Sequence, residues 1–347
     1  MSESEIDAVL LSVGSDLPYF TGYRAMATER PTMLVVTPHR DPVLFIPTLE
    51  APRVSPGQFE VAPWGETDDP VSLIASAVGT AARVAIGDHT RAAFLVGLQA
   101  RLSQVEWVSA SVITKALRMR KEDAEIAALR AAAEAVDRVV ARIPTGLRFS
   151  GETELGISRR IGAMTVEEGH RSAEFAIVAF GPNGASPHHE PGDRVVAEGD
   201  MVVIDFGGVF DGYFSDTTRT FVVGEPSNRQ TEVHDVVLRA NRAARDAVAP
   251  GVSCADVDRA ARDVIDEAGF GEFFIHRTGH GIGLEVHEHP YIVEDNHLVL
   301  EPGMSFSVEP GIYLPGEFGV RIEDIVVCDE SGVDSLNRSD SSLVVVA

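Results

Sequence analysis

The chain has 347 residues, 44% of them apolar, with a formal net charge of −24. That length allows two domains and a sizeable core, while the acid excess excludes nucleic acid as a partner, because phosphate binding needs a basic footprint and no extended Lys/Arg patch is visible. No apolar run approaches the roughly 20 residues that span a bilayer, which excludes a membrane partner.

The opening MSESEIDAVLLSVGSD is acidic where a signal peptide is basic, and Cys254 and Cys328 are too few and too separated for a disulfide framework. Both features predict a cytoplasmic protein. Lysine occurs only at Lys115 and Lys121, all other basic positions being arginine. With the acid excess this predicts a halophilic host, in which concentrated salt screens self-repulsion.

The first part of the chain reads as a small α/β domain. Ala8 to Val13 is a short apolar run, Thr32 to Thr37 and Pro42 to Pro47 flank His39-Arg40-Asp41 like a hairpin, and Arg83 to Ile86 reads as another buried strand. Helical patterns at Pro70 to Thr80 and Arg91 to Leu102 fall between them, so a mixed sheet with helices packed on it is expected. The boundary is placed in the short basic stretch ITKALRMRKED, with residues 1–115 as the first domain, 116–121 as linker and 122–347 as the second domain. From Lys121 an amphipathic helix is predicted to about Arg142, stopping before Pro144-Thr145-Gly146.

A weak internal repeat follows. The unit from Ala135 and the unit from Arg239 each read as a helix, a break with Pro and Gly, a Ser near the next helix N-terminus, and a second helix closing on Gly. Between them lies MVVIDFGGVFDGYFSDTTRT, two strand-like runs joined by the turn signal Asp211-Gly212. A turn centred near Phe210 and Asp211 sets Asp205 opposite Asp216, with Cβ atoms about 5 Å apart on one face. Two carboxylates on an otherwise apolar ribbon repel each other and resist desolvation unless something positive sits between them. A divalent metal is the simplest such charge. The alternative is one Asp in the turn and the other paired with Arg219.

After the second unit come His280 in RTGHGIGLEVHEH, Glu309 in FSVEPGIY and Glu323 in GVRIEDIVV. Glycines at 279, 281 and 283 allow close backbone approach and leave the imidazole uncrowded. In RIED only one of Glu323 and Asp324 can point inward, since successive strand side chains alternate. Each candidate has a structural alternative: a loop for His280, the surface for Glu309, and an ion pair with Arg321 for Glu323. Together, two Asp, one His and two Glu suit a pair of divalent cations, Mn²⁺, Co²⁺ or Zn²⁺. Metals about 3.5–4 Å apart, bridged by carboxylates and a hydroxide, are a common arrangement for hydrolysing an amide.

In order, spacing and flanking residues, IDFGG, SDTTRT, TGHGIGLEVHE, SVEPGIY and GVRIED resemble the metallopeptidases of the pita-bread fold, in particular Xaa-Pro dipeptidases (prolidases) and Xaa-Pro aminopeptidases. The resemblance covers the whole second domain, and the size of the first resembles the creatinase-like N-terminal domain of prokaryotic prolidases. It implies an α+β fold: a pita-bread catalytic domain with a curved antiparallel sheet and outer helices, beside a smaller α/β domain. By motif it implies that Asp205 serves one metal, that Asp216 and Glu323 bridge both, and that His280 and Glu309 complete the other. The chemistry implied is attack on the Xaa-Pro amide by the metal-bridging water, with Glu309 relaying its proton to the leaving nitrogen. His188 in SPHHEP and His287 in LEVHEH match residues that contact substrate and stabilise the oxyanion. Arg321 matches a position suited to the substrate's carboxylate or backbone. For these three, His189 as the real contact, a structural role for His287, and Arg321 neutralising Asp324 are the alternatives.

One departure bears on restriction to dipeptides: prolidases often carry Arg a few residues after the second His, where this chain has Tyr291. The resemblance also implies a homodimer acting on small peptides, with Mn²⁺ or Co²⁺ as the leading metals. Two competing functions share the fold: hydrolysis of a small non-peptide amide, as in ectoine hydrolases, and a non-catalytic binding module. Retention of all five ligands speaks against the latter.

Overall fold

The computed structural model describes residues 5–347, so the first four residues of the acidic opening lie outside them. Two compact units are present, Met1–Arg118 and Met119–Ala347. The first contains β1 (Ala8–Ser12), α1 (Asp16–Thr21), β2 (Met33–Thr37), β3 (Arg40–Pro47), β4 (Glu60–Trp64), α2 (Pro70–Val78), β5 (Arg83–Ile86), α3 (Ala92–Arg101), β6 (Glu106–Ser109) and α4 (Ser111–Met119). Its sheet has the order β4-β3-β2-β1-β5-β6. Pairing is antiparallel from β1 to β3 and parallel elsewhere, the mixed sheet expected from alternating strand and helix patterns. β1 is buried on both faces: Ala8 and Leu10 pack into one apolar cluster, Val9 and Leu11 into another.

Helix α4 runs through the basic stretch around residue 115 to Met119. An amphipathic pattern of Val112, Ile113, Ala116 and Leu117 continues the helix where charge alone suggested a break.

The second unit opens with α5 (Asp123–Gly146), whose start is fixed by a capping box between Glu122 and Glu125. The helix continues through Pro144 rather than stopping before it. Pro144 lies in the last turn, where only the bond its missing N–H would make is lost. The helix pair of the repeat is completed by α6 (Glu154–Glu167), and recurs as α7 (Asn228–Asp246) and α8 (Cys254–Glu267). Thr153 caps α6 and Ser253 caps α8, each accepting from the backbone three residues on. Each second helix then ends on a left-handed glycine, Gly169 or Gly269.

The remaining strands are β7 (Ser172–Phe180), β8 (Met201–Phe210), β9 (Tyr213–Val223), β10 (Gly279–Gly281), β11 (Glu288–Ile292), β12 (Ser305–Val308), β13 (Gly311–Leu314), β14 (Phe318–Arg321), β15 (Asp324–Asp329), β16 (Gly332–Ser335) and β17 (Val344–Val346). They form sheets ordered β17-β9-β8-β7 and β11-β10-β12-β15-β16, with β13-β14 as a separate pair. Apart from the parallel β17–β9 pair, all pairing in these sheets is antiparallel. A bridge between Thr218 and Glu323 ties β9 to the β14–β15 junction.

The β8–β9 hairpin corrects the expected register. Phe210 pairs with Tyr213 across Asp211 and Gly212, both with positive φ, so Asp205 faces Thr218 and Asp216 faces Gly207. Placing the turn one residue early displaced the partners by two, which preserves the face because strand side chains alternate. Asp205 and Asp216 are therefore diagonal neighbours on one side. Val202, Ile204 and Phe206 occupy the other and pack into the core with α5 and α6. Removing one such anchor, Phe206→Ala, would cost about 3–5 kcal/mol.

Candidate metal centre

Six side chains of the second unit converge from strands and the segments beside them. Ligand-type atoms of Asp205, Asp216 and Glu323 lie within 4.8 Å of one another, as do those of His280, Glu309 and Glu323, and those of Asp216, His280 and His287. The sets share members, so they form one continuous cluster. It lies in a cavity of about 540 Å³, a volume typical of small-ligand sites.

β10 brings His280 in. Its neighbours must be glycine: a Cβ on Gly279 would lie 1.8 Å from the Ser307 carbonyl oxygen, and one on Gly281 2.2 Å from that of His289. The imidazole itself is crowded rather than free, being 2% exposed with its ring centroid 4.0 Å from that of His287. Its Nδ1 is 3.1 Å from the Gly281 carbonyl, which can only accept, so Nδ1 carries the proton. In the neutral ring Nε2 is then the candidate ligand atom, 3.2 Å from Glu309 Oε1 and 3.6 Å from Asp216 Oδ2.

Glu309 follows β12 directly, its carboxylate accepting from Ser307 Oγ at 3.0 Å. Glu323 accepts from Thr218 Oγ1 at 2.8 Å. Alternation at the RIED segment is resolved by Arg219, which donates to Asp324 Oδ1 at 2.7 Å on the far side and leaves Glu323 for the cluster. Thus neither site aspartate pairs with Arg219, and Glu323 does not pair with Arg321.

Arg321 is buried and pairs with Asp205. It also donates to Tyr313 Oη at 2.8 Å, Thr218 Oγ1 at 3.1 Å and the Pro187 carbonyl at 3.4 Å. His188 and His287 line the same cavity and are exposed to it. His189 is turned away, with Nε2 2.8 Å from Glu154.

The electrostatics show what the cluster lacks. Burial, reinforced by Glu323 and Asp205, pushes the Asp216 carboxyl well above the usual carboxylate range, and burial with Glu309 and Asp205 does the same to Glu323. Burial also raises Asp205, against the opposing charge of Arg321. At Glu309 burial is outweighed by the hydrogen bond and charge of the protonated form of His280, which hold it down to about 2. Asp205 Oδ1 and Asp216 Oδ1 are buried without a hydrogen-bond partner. Orphaned carboxylate oxygens beside an imidazole whose Nε2 faces Glu309 and Asp216 fit divalent cations.

Several neighbours carried no isolated motif of their own. Tyr313 joins Arg321 to His276, whose Nε2 lies 2.8 Å from its hydroxyl. Asn241 of α7 donates to the carbonyls of Val308 (2.9 Å) and Ile322 (3.2 Å), the residues just before Glu309 and Glu323. Glu154 is buried, yet hydrogen bonds from Phe180 N–H, His189, Asn183 and Gly192 N–H outweigh that burial and lower its pKa, pinning the loop that carries His188. Position after Glu309 in EPGIY was the available signal for Tyr313. Asn241 and Glu154 act across long sequence separations and had none.

Comparison with known proteins agrees over the full length. Residues 127–330 match metallopeptidase family M24, and residues 1–120 match the creatinase/prolidase N-terminal domain. A relative called probable dipeptidase PepE, from Mycobacterium tuberculosis, is 44% identical over 99% of this chain and 93% of its own. The crystal structure of dipeptidase PepE from Mycobacterium ulcerans superposes with a TM-score of 0.93 at 45% identity, covering 99% of this chain and 94% of that one. A prolidase from Thermococcus sibiricus gives 0.95 at 36% identity, covering 99% and 96%. With its ligand-type residues gathered in one cavity and both of its units matched, the chain belongs to metallopeptidase family M24, with a pita-bread domain behind a creatinase-type N-terminal domain.

Proposed function

We propose that the protein cleaves the Xaa-Pro amide bond of dipeptides or short peptides with two divalent cations. The observation that carries this reading is the overlap of the acidic clusters around Asp216 and Glu323, with unpartnered oxygens on Asp205 and Asp216. Four carboxylates against the Arg321 guanidinium leave three uncompensated negative charges, a close match for two divalent ions. Asp205, Asp216 and Glu323 would hold one, and His280, Glu309 and the shared Asp216 and Glu323 the other. Mn²⁺ or Co²⁺ fits this oxygen-rich set best, with Zn²⁺ as a third choice. When bound, the ions supply Lewis acidity and an ionised water at neutral pH.

The chain's own groups do the rest. Glu309, beside His280, would relay the proton of the attacking water to the leaving proline nitrogen. His188 and His287 place donors where negative charge develops on the carbonyl oxygen. Arg321 lines the cavity, and a cation on Asp205 would compete for the carboxylate it now holds, releasing a guanidinium edge for the substrate. Phe175 and Ile177 of β7 supply apolar wall for the proline ring.

The names of the relatives support a peptide substrate. A cytoplasmic homodimer and salt adaptation belong to the same reading, tested by a scattering mass near twice 37.2 kDa and by loss of activity on dialysis into low salt. The deciding experiment is product analysis on matched Xaa-Pro, Xaa-Pro-Yaa and Xaa-Ala substrates after chelation and add-back of Mn²⁺ or Co²⁺. Cleavage confined to the proline substrates is expected; cleavage of neither would end the reading.

A further inference from the structure

Two guanidinium groups line the cavity, and they differ in what they hold. Arg321 is paired with Asp205. Arg277 has no carboxylate partner among the described residues, although acidic side chains outnumber Lys and Arg by 53 to 29. Its guanidinium carbon sits 4.3 Å from the ring centroid of Tyr291. Stacking uses the face of the guanidinium and leaves its edge, with the N–H fork, available to an anion.

The backbone beneath Arg277 is fixed on both sides. His276 Nδ1 is 2.7 Å from the Arg277 carbonyl, while its Nε2 is held by Tyr313. On the other side, Thr278 N–H donates to Asp258 Oδ1 at 3.0 Å. Arg277 is therefore presented at a set position and loses little freedom when it binds.

The acidic cluster attracts the amino end of a peptide and repels its carboxylate, which needs a positive group elsewhere in the cavity. Resting on the Xaa-Pro reading above, we propose that Arg277, held flat on Tyr291, binds the free proline carboxylate of an Xaa-Pro dipeptide and makes the enzyme prefer dipeptides. The fork meets the two carboxylate oxygens side by side, and an amide or an extended chain at that position forfeits the ion pair.

The test compares an Xaa-Pro dipeptide with its Xaa-Pro amide and an Xaa-Pro-Yaa tripeptide, using metal-loaded wild type, Arg277→Met, Arg277→Lys and Tyr291→Leu. Wild type is expected to favour the acid over the amide at least tenfold in kcat/KM, mainly through KM. Arg277→Met should collapse that ratio by about 10- to 100-fold, Arg277→Lys by less, and Tyr291→Leu by about threefold to tenfold. The wild-type ratio does not depend on any variant folding. Equal wild-type cleavage of acid and amide, or an unchanged ratio in Arg277→Met, overturns the role of Arg277 while leaving Xaa-Pro hydrolysis in place. Failure of wild type on every proline substrate ends both.

Discussion

The two helix-pair halves of the second unit share a scaffold but position their chemistry by different means. In the first, Asp205 and Asp216 ride on the long β8–β9 ladder, whose register fixes their separation. In the second, His280 sits on a three-residue strand, and Glu309 and Glu323 fall just outside strands. Each glutamate keeps a single backbone bond, Glu309 N–H to the Thr278 carbonyl at 2.8 Å and Glu323 N–H to that of Thr218 at 3.1 Å, and side chains add to these: Ser307 Oγ accepts from His280 N–H at 3.0 Å, and Asn241 clamps the carbonyls before both glutamates. A long ladder spreads its load over many bonds, whereas each glutamate here depends on one backbone bond and the Asn241 clamp.

The largest expected effect removes a candidate ligand shared between clusters. Asp216→Asn should lower kcat/KM by at least about 10³-fold and reduce bound metal, read by steady-state kinetics and elemental analysis. Comparable loss in both halves' ligands would show one centre; an active Asp216→Asn enzyme would break it.

Next comes the contrast between clamp and ladder. Asn241→Leu strands two buried carbonyls next to Glu309 and Glu323, and metal affinity should fall by about 10- to 100-fold. Ser215→Ala, beside Asp216 but on the opposite face, should change affinity less than about threefold, because β9 keeps its ladder bonds. Equal effects in a metal titration would erase the distinction drawn above.

A smaller effect is shared by the halves through pH. Burial lowers His170 and His234 to a pKa of about 4 each. The unfolded chain binds protons to both below about pH 6.5 while the folded chain does not, so stability rises with pH between about 4 and 6.5 and is flat above. Each contributes about 2–3 kcal/mol across that window. Urea midpoints at pH 7 and pH 5 would measure it, and His234→Leu should flatten the slope by about half. Smallest is the cap pair: Thr153→Ala and Ser253→Ala should each cost about 1 kcal/mol, or 2–4 °C in Tm, with matching values if the scaffolds are equivalent.

What the sequence showed follows the same division. The Asp hairpin was legible because alternation and a turn dipeptide are local; an error of one residue in the turn moved the partners yet kept both aspartates on one face. The His and Glu ligand candidates stand out through glycine-bordered motifs, but their geometry does not, since it depends on contacts such as Asn241 to Val308 and Thr218 to Glu323, which join residues far apart in the chain. Arg321 matched its motif, but its partner Asp205 lies on another strand, so its burial and pairing became visible only in the fold. The helix through residue 115 is hard to read from sequence because a charge cluster masks its amphipathic pattern.

The proposed chemistry requires the cavity carboxylates and His280 to form one two-ion site. Calorimetric titration of the chelated protein with Mn²⁺ measures this directly, alongside the Glu323→Gln variant. Two ions per chain, with both weakened together by Glu323→Gln, are predicted; a single ion, none, or two ions indifferent to Glu323 would contradict it.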